Sequence, residues 1–204
     1  VNMNDRKKAS KQSFDFQAQT SDVDKNGKHA RKQYIHIIQQ IRRLTFSNAL
    51  DVGCGTGEIL SHLLEEYPDM TFSGIDISEK MLEQAQWKTK NRVHLSVGDA
   101  ENLPYENDSF VLVICNDSFH HYPNPQQAMN EFHRVLKRNG HLLLSDYWKP
   151  LFSRTIINFF MPYNNDGDVK IYSEKEMLEF INVAGFKKSN YEKFKSAIIF
   201  IAHK

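Results

Sequence analysis

"ALDVGCGTG", Ala49 to Gly57, sets three glycines into five positions directly after an apolar run. Glycine loses more freedom on folding than any other residue, so such a cluster serves a tight turn or a ligand that must touch backbone. The run before the glycines, "FSNALDV", reads as a buried strand. After them Ile59, Leu60, Leu63, Leu64 and Tyr67 mark one face of a helix that stops before Pro68. Strand, glycine turn and helix make one unit of an alternating α/β chain.

The rest of the chain repeats that alternation. "TFSGID" is the next strand, and Ser78 caps a helix carrying Met81, Leu82 and Ala85. "RVHLSVGD" is a third strand. "SFVLVICND" is a fourth, apolar throughout and therefore central. A helix follows with Asn124 as cap, Pro125 at its first position and Gly140 as its stop. "HLLLSD" is a fifth strand. Ser173 and Glu176 form a capping box for another helix, closed by Gly185, and "FKKSNYE" with "SAIIFIA" form a final antiparallel pair. Upstream, Ala30, Tyr34, Ile37, Ile38 and Ile41 make a helical stripe between Lys28 and Leu44. The expected fold is therefore a doubly wound, mostly parallel seven-stranded sheet with an antiparallel final strand, a single domain over residues 1–204.

Totals narrow the function classes. The 204 residues are 40% hydrophobic and 25% charged, with a net charge of +1. No global field favours nucleic acid or an anionic membrane, so neither is an expected partner. No run of about 18 apolar residues could span a bilayer, and the opening lacks a signal-peptide core. Two cysteines, Cys54 and Cys115, make no disulfide framework. The expectation is a cytoplasmic monomer or homodimer. Residues 1–27, basic and polar at the start, read as a mobile terminus, although Phe14 and Phe16 could close over a site.

Spacing selects among ligands for the glycines. A P-loop needs Gly-Lys followed by Ser or Thr, and this stretch has no lysine. A dinucleotide fold wants G-x-G-x-x-G, whereas Gly53, Gly55 and Gly57 run G-x-G-x-G and Glu58 stands in the third glycine's place. Asp51 and Glu58 make the mouth acidic, which disfavours a pyrophosphate. Asp76, at the end of the second strand, suits a ribose diol. A nucleoside without phosphate and with positive charge meets these conditions, and S-adenosylmethionine is such a ligand.

"LDVGCGTGEIL" resembles the first motif of the class I S-adenosylmethionine-dependent methyltransferases, in particular the subgroup of ubiquinone and menaquinone methyltransferases and related small-molecule enzymes. "GIDIS" with Met81 resembles the second motif, and "GDAENLPYENDSF" the third. "NDSFHHYPNPQQAMNEFHRVLKRNG" is similar to the fourth strand, the acceptor-side loop and the next helix, although Arg138-Asn139-Gly140 replaces the usual Pro-Gly-Gly. The resemblance implies a cofactor site of Asp51, Gly53, Cys54, Gly55, Gly57, Asp76, Ile77, Met81, Asp99, Ala100 and Asn116. Asp76 would hold the ribose, Ile77 and Met81 the adenosine, Asp99 the adenine amino group and the Ala100 backbone its ring.

His120 and His121 follow the fourth strand on the acceptor side, where one could act as a base. No third ligand sits at recognisable spacing, so no metal is expected. The aromatic-rich insertion over residues 147–172 could bury a short helix against the core, but its exit from the carboxyl end of the fifth strand favours a lid over an acceptor pocket. The expected function is methyl transfer to a small-molecule acceptor. An RNA or protein methyltransferase, or a non-catalytic S-adenosylmethionine-binding protein, are the alternatives.

Overall fold

A computed structural model describes residues 3–18, 34–161 and 167–204. Its centre is a seven-stranded sheet in the order β3-β2-β1-β4-β5-β7-β6. The strands are β1 (Asn48–Val52), β2 (Thr71–Asp76), β3 (His94–Val97), β4 (Phe110–Asn116), β5 (Leu136–Tyr147), β6 (Lys188–Phe194) and β7 (Ala197–His203). β1 to β5 pair in parallel, while β7 runs antiparallel to both β5 and β6. The expected sheet and its reversed last strand are both present.

Helices cover both faces: α1 (Met3–Gln17), α2 (residues 34–41), α3 (Glu58–Glu66), α4 (Glu79–Lys88), α5 (Pro125–Val135), α6 (Leu151–Phe160) and α7 (Glu174–Val183). Residues 28–33 of the helix expected from Lys28 lie outside the described residues. Strand periodicity of two divides the core between the faces. Leu50, Val52, Val113 and Cys115 pack with Phe119 and Phe132 on one face, whereas Ala49, Leu112 and Ile114 pack with Leu60 and Leu63 on the other. β4 is central because both sets of its side chains are buried, as its unbroken apolar run requires.

Local chemistry sets most of the boundaries. Ser78 Oγ accepts the Met81 N–H at 3.1 Å, capping α4. Ser173 and Glu176 bond reciprocally at the start of α7. That contact and Lys170 pull the Glu176 carboxyl down to about 2 despite its partial burial. α5 ends at Val135 rather than continuing to Gly140. Ser109 and Asp108 N–H groups take the carbonyls of Val135 and Arg134, and Leu136 turns extended to pair with Phe110. Asn139 then adopts φ 63° just before Gly140.

Two further differences bear on function. Residues 3–17, expected as a mobile terminus, form a helix seated across the carboxyl ends of the strands. The insertion after β5 contains α6, none of whose residues is buried, so that helix does not fill the core, although Ile171 and Tyr172 at the end of the insertion are buried. Among the described residues no helix is long and apolar enough to cross a membrane.

Candidate functional site

The strand order reverses between β1 and β4, and ligands of doubly wound sheets bind outside the carboxyl ends at such a point. The glycine loop leaves β1 there. Gly53, Gly55 and Gly57 all have positive φ, between 51° and 75°. A Cβ on Gly53 would stand 2.0 Å from Ser118 Oγ, so only glycine lets the β4 loop approach this closely. Gly53 and Cys54 N–H groups both donate to the Ile75 carbonyl, which ties the loop to β2. Asp76 completes the tie. Its two carboxylate oxygens accept N–H groups of Gly55 and Ser78, each at 2.9 Å.

A cavity between this loop and α1 is lined by Gly53, Asp76, Ile77, Asp99, Ala100 and His121 among the expected residues. Asp51 lies two positions before Gly53, buried on β1. Burial, together with the Asp76 charge, pushes its carboxyl up to about 7. Burial also lifts Asp76 above the usual carboxylate range, despite the N–H bonds from Ser78 and Gly55. Gly57 starts α3, Met81 is buried in α4 and Cys54 is a buried free thiol; none of the three lines the cavity. Burial holds the Cys54 and Cys115 thiols well above their ordinary range, so both remain protonated. Asn116, also off the cavity lining, carries a buried Oδ1 with no hydrogen-bond partner.

Sequence reasoning missed several lining groups. Ser118 Oγ and Tyr122 OH share a 2.6 Å hydrogen bond beside Gly53. Helix α1 supplies Lys7, Ser10 and Phe14. Lys7 Nζ donates to Asp99 Oδ2 at 2.6 Å and to Glu101 Oε2 at 2.5 Å. Ser78 Oγ donates to Asp15 at 2.6 Å, and Arg6 bonds the Asp168 carbonyl. Lys7 thus sits on the carboxylate that the resemblance assigns to adenine. With α1 in place the cavity holds about 50 Å³, room for a few waters rather than a nucleoside. Phe14 and Phe16 were the available signal. Phe14 does close over the site, edge-on to His121 at 4.9 Å, while Phe16 faces outward.

His120 and His121 occupy a 3₁₀ turn, Phe119–His121, with their ring centroids 4.1 Å apart. His120 Nδ1 meets Asp146 Oδ1 at 2.6 Å at the end of β5. Burial alone would depress this imidazole, but the Asp146 charge, with Asp117 and Asp168 beyond it, lifts it to about 10. His121 faces the cavity instead. Burial and the His120 charge hold it well below the ordinary histidine range, so it is neutral. Its Nδ1 is 3.0 Å from Asp168 Oδ1, but off the axis that a hydrogen bond requires. No third ligand stands at recognisable spacing in the sequence, but carboxylates gather around the pair in space. Asp168 joins both histidines, and Asp117 and Asp146 surround His120. Asp146 and Asp168 come from distant segments, which no local spacing reveals, whereas Asp117 stands three residues before His120.

The residue set fits a cationic nucleoside. Asp51, Asp76 and Asp99 gather at one end of the site, and Lys7 is the only lysine or arginine on the cavity lining among the described residues. Among the described residues Asp51 is a buried carboxyl without a counter-charge, and a positive ligand would supply one.

Comparison with known proteins agrees with this geometry. The profile of the family described as methyltransferase domain matches residues 50–144. The chain is 30% identical over 174 residues to demethylmenaquinone methyltransferase of Listeria monocytogenes serotype 4b, covering 77% of this chain and 73% of that protein. It is 37% identical over 120 residues to the Staphylococcus haemolyticus demethylmenaquinone methyltransferase, covering 56% of this chain and 49% of that protein. It spans about half the length of that relative and of the corresponding Thermotoga maritima enzyme. In fold it resembles Haemonchus contortus phosphoethanolamine N-methyltransferase 2, solved with S-adenosylhomocysteine, at a TM-score of 0.74 and 18% identity, covering 94% of this chain and 60% of that one. Motifs, sheet order and relatives agree: the chain belongs to the class I S-adenosylmethionine-dependent methyltransferases.

Proposed function

We propose that this protein transfers a methyl group from S-adenosylmethionine to a small quinone- or quinol-type acceptor, with His121 as the proton-accepting side chain. The observation that carries the reading is the division of one cavity between two kinds of group. Carboxylates of Asp76 and Asp99, with Asp51 behind them, stand at the glycine loop, and a neutral imidazole stands across from them. The cofactor supplies an electrophilic methyl group on a sulfonium, so the chain needs no covalent nucleophile. Asp76 would hold the ribose and Asp99 the adenine amino group, while Asp51 answers the positive charge. Phe14, Tyr122 and the glycine loop exclude water and limit the orientations open to the acceptor. His121 accepts a proton from a hydroxyl as the acceptor becomes nucleophilic. His120, held charged by Asp146, is a brace for the turn rather than a base.

The acceptor class rests on the names of the relatives, three of which are demethylmenaquinone methyltransferases. Calorimetry with S-adenosylhomocysteine tests cofactor binding, and preferential NAD binding would overturn the reading. Incubation of the protein with labelled S-adenosylmethionine and a reduced naphthoquinone tests the acceptor. His121→Ala should lower turnover at saturating substrate by about 10²–10⁴-fold while leaving cofactor affinity nearly intact. Equal losses of affinity and turnover would make His121 structural.

A further inference from the structure

Helix α6 is built inside out. Residues 151, 152, 155, 156, 159 and 160 are exposed, and they occupy about half of the helix circumference. Five of the six are Leu151, Phe152, Ile156, Phe159 and Phe160, with Phe152 80% and Phe159 68% exposed. Thr155, the sixth, turns its hydroxyl onto the Leu151 carbonyl at 2.9 Å, so it adds little polarity to that face. The inner face carries Ser153, Arg154 and Asn158, with Ile157 as its only large apolar side chain.

Polar contacts hold this orientation. The Asn158 amide bonds both backbone groups of Ile171, donating at 3.0 Å and accepting at 2.9 Å. Arg154 donates to the Lys149 carbonyl and lies 3.8 Å from Glu174. Rotating the phenylalanines inward would break that clamp. A contiguous exposed apolar face, maintained by polar contacts on the opposite side, marks an interaction surface.

We propose that α6 docks this protein on an anionic lipid bilayer, lying in the membrane surface beside the acceptor entrance. Three observations select this occupant. The helix is about 15 Å long, too short to span but suited to lie in the interface. Residues 147–161 include Lys149 and no acidic residue, while Arg154 is turned inward beside Glu174. The hairpin tip carrying Lys195 joins this segment, because the Trp148 backbone N–H donates to the Ser196 carbonyl at 2.7 Å. A second copy packed through the same stripe would bring Lys149 and Lys195 against their own kind. Finally, Asp146, the residue that braces His120, lies at the end of β5, and α6 starts five residues later at Leu151, so a bilayer on this face abuts the acceptor side. This last argument rests on the quinone-type acceptor proposed above. The near-neutral total charge gave no sign of a membrane partner, because the basic, acid-free segment is local.

The test is co-sedimentation with vesicles of phosphatidylcholine and phosphatidylglycerol, roughly three to one, without cofactor or acceptor. The protein should pellet with these vesicles and less with pure phosphatidylcholine. The double variant Phe152→Ser, Phe159→Ser should melt as the parent does and lose about ten-fold or more in partitioning. Lys149→Glu with Lys195→Glu should weaken binding and flatten its salt dependence. Failure to pellet, or unchanged pelleting of the serine variant, would overturn the proposal. So would a dimer in solution that the serine variant dissociates, which would make the occupant a second copy. Cofactor calorimetry without vesicles separates this result from the fate of the methyl-transfer reading.

Discussion

Asp51 is the residue whose environment departs furthest from what its type prefers. Its carboxyl is fully buried, titrates near 7 and has the Asp76 charge as neighbour. The folded value exceeds the unfolded one, so the folded protein prefers the protonated form. The resulting penalty is absent below about pH 4, grows as pH rises, and is complete above about pH 7, where it is on the order of 4 kcal/mol. Asp51→Asn should therefore stabilise the cofactor-free protein at about pH 8 and change it little at about pH 4. Denaturant unfolding at the two pH values measures this. A cationic ligand favours the ionised carboxylate, so affinity for S-adenosylmethionine should rise as pH increases through about 7 and release a proton. Calorimetry in buffers of different ionisation enthalpy reads that proton, and the asparagine variant should abolish it. His120 has the opposite sign. Its raised value stabilises the fold fully below about pH 6.5, and that stability disappears as pH climbs through about 10. Asp146→Asn should cost stability at neutral pH and progressively less in alkali. Because the proton on His120 already balances Asp146, chelators should leave methyl transfer intact; loss of activity that added metal restores would instead make the His–Asp cluster a metal centre.

At the scale of elements, α1 decides access. Its Lys7 bridges Asp99 and Glu101, its Asp15 accepts from Ser78, and Ser10 is packed so closely that a Cβ on Gly167 would lie 2.1 Å from its hydroxyl. With α1 seated the cavity holds about 50 Å³, so α1 is expected to shift when cofactor binds. Lys7→Met should speed cofactor association, and added salt should speed it in the parent but less in the variant. Stopped-flow binding reads both rates, and identical rates would remove α1 as a gate. The helix was hard to read because its anchors are ionic and distant. A basic, polar opening looks solvated until Asp99, Glu101 and Ser78 are placed beside it. The strand–helix border at Val135 was missed for a related reason. The apolar stripe of α5 continues into Leu136, and only the N–H groups of Asp108 and Ser109 decide where the helix stops.

For the whole molecule, the site is an edge feature of a sheet whose core lies elsewhere, so ligand and fold are coupled through mass action. S-adenosylhomocysteine at about 100 times its Kd should raise unfolding free energy by about 2.7 kcal/mol. A much smaller shift, measured at a known affinity, would mean that the unfolded chain also binds it. Sequence alone determined the layered α/β architecture, because apolar periodicity and capping are local. It also determined the glycine loop with its carboxylates, because a parallel sheet places consecutive strand ends on one edge. Tertiary structure alone decided which of two adjacent histidines faces the cavity, how charged each is, where α1 rests and which way α6 turns its phenylalanines. Those properties depend on Asp146, Asp168, Asp99 and Ile171, partners remote in the chain, and electrostatics and side-chain contact act through space.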